Sequence, residues 1–257
     1  MIARRRLARP SRPLSASVAR YGPIVLPVVL AGLAVIGWAV DPLQLAILLA
    51  VELPVAGLGS AALLGPAIRA TGYARYATVA AATVAATLAG RLLPDGFGTL
   101  AAPVAWIFLW WALRTEIRGT TDAVGRLSLD LTLVLTVFAG ASGIAVLFGP
   151  AQWLLRVGVL VLLVAIPALR AAEERGATGV QAVGQGALQL LAVTEIAIAI
   201  TLLDLPQPVG PALVALGFHA WGGAADALLG GTPVRGVAIE FGSLALLGVL
   251  VALFLSQ

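Results

Sequence analysis

The sequence predicts an all-α, polytopic integral membrane bundle of about nine transmembrane helices, and three observations lead there. Hydrophobic residues make up 60% of the 257 residues and charged residues only 11%, with a mean hydropathy of +1.02; a soluble domain carries roughly 25% charged residues. The apolar residues fall into nine runs, each near the roughly 20 residues that cross a bilayer core. When the runs alternate in direction, the arginines collect on one side, as membrane orientation requires.

The first run, 22–40, follows an arginine-rich stretch containing Pro10 and Pro13. It exceeds the 7–15 apolar residues of a signal peptide core, so a retained first helix is expected. Residues 1–21 are then a basic, disordered cytoplasmic tail, able to touch anionic lipid headgroups, and 22–257 form a single transmembrane domain. The second run, 44–65, is set off by Asp41-Pro42. The third, 75–93, is rich in alanine and stops at Pro94-Asp95-Gly96. The fourth, 98–114, carries Trp106, Phe108, Trp110 and Trp111, which read as packing and interfacial anchors. The fifth, 127–148, contains Ala139, Gly140, Ala141, Ser142 and Gly143, small residues that let helices approach closely, and ends at Gly149-Pro150. The sixth, 152–170, contains Arg156. Glu173-Glu174-Arg175 after it reads as a charged connector. The seventh, 186–204, the eighth, 210–229, and the ninth, 236–256, are separated by Leu205-Pro206-Gln207-Pro208 and Gly230-Gly231-Thr232-Pro233. Such Pro and Gly clusters end helices.

Orientation follows from counting. With the N-terminus in the cytoplasm and the C-terminus outside, 14 of the 16 arginines lie on the cytoplasmic side, and only Arg91 and Arg156 lie outside. Asp41, Asp95 and Asp204 fall at outer ends. A missed helix would invert every later loop and scramble this bias. A shift of 110 residues also pairs Phe108 with Phe218, Trp111 with Trp221 and Asp130 with Glu240, which suggests a parallel four-helix repeat of helices 2–5 and 6–9, an arrangement some transporters use.

Missing residue types exclude whole chemistries. There is no Cys and no Lys, hence no disulfide, thiolate metal site, Walker lysine or Schiff-base lysine. A single histidine is a poor basis for a haem or metal centre. No cofactor and no metal is expected. The net charge of +4 and pI near 10.6 come from the orienting arginines and do not imply a nucleic-acid partner. The absence of Lys and Asn, both written with AT-rich codons, fits a GC-rich bacterial genome and so an inner (plasma) membrane protein.

An ionisable side chain deep in the bilayer costs at least about 2.5 kcal/mol on insertion scales, which makes each one a candidate for function. Glu52 lies in the second run beside Pro54, where a proline removes its own N–H and frees the carbonyl of Ala50, breaking the helix. Glu195 lies in the apolar stretch 191–200, with Thr194 as its only polar neighbour there. His219 shares a face of the eighth helix with Ala215, Gly222, Gly223 and Asp226. Glu52, Glu195 and His219 are therefore the candidate substrate- or proton-binding residues. Asp130, Asp226 and Glu240 are secondary, because Arg126 and Arg235 stand close enough to make interfacial ion pairs with Asp130 and Glu240.

Three function classes are compatible with these residues. A small-solute or proton-coupled transporter would use Glu52, Glu195 and His219. A non-catalytic membrane subunit or scaffold would bury the acids against membrane-protein partners or a second copy. A membrane-embedded enzyme acting on lipids is the least favoured, since one histidine and no cysteine leave few catalytic groups.

Overall fold

The computed structural model describes residues 16–65, 72–94, 97–203, 205 and 208–255. The stretch 1–15 of the expected basic tail, Arg69, Asp95 and Asp204 lie outside the described residues. Within them the chain forms nine α-helices: α1 (Ala16–Ala39), α2 (Pro42–Leu64), α3 (Ala74–Ala89), α4 (Gly98–Arg118), α5 (Ala123–Leu147), α6 (Trp153–Glu174), α7 (Gly179–Leu202), α8 (Val209–Leu229) and α9 (Val234–Leu255). No strand occurs among the described residues.

Eight of these helices are long and apolar enough to cross a membrane, and α3 is the exception. Its 16 residues rise about 24 Å, short of a hydrocarbon core of about 30 Å. A 3₁₀ turn, Gly90–Leu92, continues it and adds about 6 Å. Alanine and threonine fill α3 because five helices, α1, α2, α4, α5 and α6, pack around it; most of its residues are buried. Large side chains would hold those neighbours off. The closest approach is to α5, where Gly143 lies on the backbone of Leu88 and has no room for a Cβ.

Polar contacts at the two ends of α3 fix its passage through the bundle. At its C-terminal end Arg91 donates to the carbonyls of Gly37 (2.9 Å) and Val40 (2.8 Å) at the α1–α2 junction. At its N-terminal end the Ala74 N–H donates to Glu173 at the end of α6 (3.1 Å). Consecutive helices therefore alternate in direction, and eight of the ten described arginines sit on one face of the bundle. One apolar core joins α2, α3, α5, α6, α7 and α8 around Leu133, Val137, Val164 and Phe218. A second joins α1 to α4 around Leu30, Val79 and Leu109. Among the described residues α9 packs mainly on α8. Of the packings that a 110-residue offset would duplicate, α2 on α3 is matched by α6 on α7, and α4 on α5 by α8 on α9. Among the described residues the extensive packing of α3 on α5 has no comparable counterpart between α7 and α9.

Three details correct the sequence reading. α2 continues through Pro54, so the break expected there does not form. One lost N–H bond is tolerable, whereas a further unwound turn in lipid would strand several backbone groups. α7 begins at Gly179 and not near 186, because its glycine- and glutamine-containing first turns are polar but still helical. The acids of the supposed connector, Glu173 and Glu174, form the last turn of α6, with Arg175 as its C-cap.

Candidate functional site

The arginine-rich face holds two linked polar assemblies, both organised by the last turns of α6. The first centres on Glu116, which is fully buried near the end of α4. Its carboxylate accepts from Arg170 on α6 (2.8 and 3.2 Å) and from Arg75 on α3 (3.1 Å). Arg75 also donates to the Glu116 carbonyl. Arg170 is 3% exposed and reaches Glu174 one turn away at 3.8 Å. One carboxylate shared by two guanidiniums ties three helices together, and Glu173 caps the start of α3 alongside. Charge-assisted bonds such as these are the strong ones.

The second assembly surrounds a cavity of about 330 Å³ between α5, α6, α7 and α8. Arg175, at the end of α6, is nearly buried and donates to Gln189 of α7 (2.9 Å). Gln189, itself fully buried, donates to the Phe218 carbonyl of α8 (3.2 Å). The Nε of Arg175 has no hydrogen-bond partner among the described residues; Asp226 lies 3.8 Å away. Burial pulls the Arg175 guanidinium below its ordinary pKa, and the Asp226 carboxylate pulls it back. Across the cavity His219 Nδ1 and Asp130 Oδ2 are 3.1 Å apart, each about half exposed. Arg126 and Glu174 complete the charged lining, and Gly222 leaves the space open, since a Cβ there would only reach ordinary contact with Arg175 and Gln189.

The expected site residues are thus distributed unevenly. His219, Asp130 and Asp226 line one cavity. The small, polar stripe of α8 faces that cavity through Gly222 and Asp226, while Gly223 also receives the Phe241 ring of α9 and Ala215 joins the core. Glu52 is elsewhere: it is fully buried against α3, 2.9 and 3.0 Å from the Thr87 hydroxyl, which also reaches the Thr83 carbonyl. Glu195 lies on the exposed side of α7 and has no partner among the described residues. Its neighbour Thr194 donates back to Leu190 (2.7 Å). Two expected interfacial pairs are replaced: Asp130 pairs with His219 and not Arg126, and Glu240 has no ion partner among the described residues.

Glu116, Arg170, Arg175 and Gln189 were not legible as site residues. Arginines at helix ends read as orientation signals, and Glu116 falls beyond the predicted fourth run. Gln189 carried the one usable signal, an amide inside an apolar run that needs a partner on another helix. Among the described residues no group of three or more His, Asp or Glu side chains could hold a metal ion.

A helical bundle with a polar cavity opening at one end of its spans defines a multi-pass membrane protein. No protein-family model, no curated protein and no solved structure matches the chain.

Proposed function

We propose that the chain is a carrier for a small polar solute, coupled to protons, with its binding site in the α5–α8 cavity. The observation that carries this is the gathering of Asp130, Glu174, Asp226, Arg126, Arg175 and His219 around one void in an apolar bundle. Ionisable groups within membrane spans are costly and mark ion and substrate paths, and the cavity is of the size that holds a small solute. Arg175, with an orphan Nε, and Gln189 are held rigidly and suit binding. Asp130 and His219, half exposed and in contact, suit proton exchange with water entering from the arginine-rich face, which this reading takes as cytoplasmic. Glu52 and Glu195 stand outside this cavity and are not needed for the proposed cycle.

The test is proton entry into proteoliposomes containing trapped pyranine, under an imposed pH gradient, with pools of amino acids, sugars and small amines. At least one pool is expected to accelerate proton entry above that of protein-free vesicles, and Asp130→Asn is expected to remove the acceleration. If every pool leaves entry at the protein-free rate, the carrier reading fails.

A second reading, a membrane subunit that packs with a partner, is favoured by Glu195. A carboxyl on the exposed side of α7, about 10 Å from that helix's outer end, faces lipid unless another helix covers it. Recovery of the chain as a stable, monodisperse monomer in mild detergent would count against this alternative.

A further inference from the structure

We infer that a second pocket, between the end of α4 and the start of α5, binds the phosphate of an anionic phospholipid. The pocket encloses about 450 Å³ on the arginine-rich face and lies apart from the α5–α8 cavity, sharing none of its lining residues. Trp110, Arg114 and Arg118 line it, spaced one turn apart along α4, so they form a single row on that helix. The Arg114 guanidinium sits 5.1 Å from the Trp110 ring centre, which holds the cation over an aromatic face. Neither Arg114 nor Arg118 has a carboxylate partner among the described residues. The one acid in the lining, Asp122, is committed to capping α5 through the Gly125 N–H (2.7 Å). The Thr115 and Ser128 hydroxyls also line the wall, and neither engages another described residue. Two unpaired guanidiniums and two free hydroxyls match the donor set that recognises phosphate oxygens.

The wall is preformed. Gly119 turns the chain at φ 75°, and a Cβ on Gly125 would meet the Gly119 carbonyl oxygen at 2.5 Å, so the loop 119–122 lies tightly on the first turn of α5. Trp110 and Trp111 at the pocket lie about two turns before the C-terminal end of α4, towards the arginine-rich face. Basic pockets at this level between membrane helices take lipid phosphates. A soluble phosphate shares the chemistry but not the adjacent apolar helix faces, represented by the exposed Ile107 and Val124.

The experiment uses native mass spectrometry of the full chain released from nanodiscs of phosphatidylcholine with 20% phosphatidylglycerol (a mole fraction of roughly one-fifth, chosen to mimic a moderately anionic leaflet). The expected result is one retained phosphatidylglycerol per chain. Affinity should fall roughly fivefold for Arg114→Gln or Arg118→Gln, and about 25-fold for the pair. Arg20→Gln with Arg235→Gln, on the same face but outside the pocket, should leave retention unchanged. Inorganic phosphate added to pure phosphatidylcholine discs separates the sources, since retained phosphate without retained phosphatidylglycerol would overturn the lipid assignment. Retention that survives the Arg114 and Arg118 double substitution, or falls equally in the control pair, would overturn the site.

Discussion

Replacing Glu116 by leucine should unfold the arginine-rich end of the bundle more than any other single substitution of an acid. The change removes both short contacts to Arg170 (2.8 and 3.2 Å) and the side-chain contact to Arg75 (3.1 Å). Arg170, 3% exposed, would keep only longer-range contacts with Glu174, at 3.8 Å, and Glu173, whereas Arg75, at 12% exposure, can extend toward water. Stranding one buried partner of an ion pair costs about 3–5 kcal/mol. For a chain of this length that corresponds to a fall of roughly 6–20 °C in the unfolding midpoint. The double variant Glu116→Leu/Arg170→Met leaves no stranded charge and should recover most of the loss, because replacing a buried pair by packed apolar groups is often neutral. Thermal unfolding of the detergent-purified protein, followed by the fluorescence of its six tryptophans, reads both. A Glu116→Leu midpoint within about 1 °C of the parent, well below the expected range, would refute the reasoning. So would a double variant that melts at the sum of the two single losses.

Other outcomes follow from the same packing. Gly143→Ala should destabilise strongly, since its Cβ would run into the Leu88 backbone, while Gly57→Ala, with nothing within 4 Å, should be neutral or stabilising by about 0.5–1 kcal/mol; unfolding midpoints distinguish the two. Gln189→Leu should cost about 1–3 kcal/mol, because it leaves a nearly buried Arg175 donor without its acceptor, while the Phe218 carbonyl keeps its bond within α8, and the same melting assay measures it. Glu52→Gln should be tolerated, since an amide oxygen accepts from Thr87 as the carboxyl does, whereas Thr87→Val strands the buried acid and should lower the midpoint.

The membrane fold was legible because lipid leaves the backbone so few options. Once the backbone must satisfy itself, runs of apolar residues can only be helices, and the arginine bias then orders them. α3 was legible as a helix through its alanine-rich run and the stop at Pro94-Asp95-Gly96, but its central place was not, since alanine gives no outward signal of five neighbours. At the candidate site the α8 stripe of His219, Gly222 and Asp226 was readable from helical spacing alone. What spacing cannot supply is the partner on another helix. Arg126 stands one turn from Asp130, yet the fold brings His219 there from α8. Arg170 and Arg175 read as orientation signals, although each turns inward to a buried polar partner, Glu116 and Gln189. Glu195 shows the converse, because an acid in an apolar stretch suggested an inward site and the fold turned it outward.

The carrier reading is tested most directly at Gly222, which faces the cavity where a small side chain fits beside Arg175 and Gln189. The natural chain contains no cysteine, so Gly222→Cys introduces a unique thiol. Proton entry into proteoliposomes is measured with a responding solute pool before and after treatment with a membrane-impermeant maleimide. The account predicts that Gly222→Cys carries the solute-dependent flux and that modification from the arginine-rich side abolishes it. A flux that persists after complete labelling, or a thiol that no reagent reaches from that side, would contradict it.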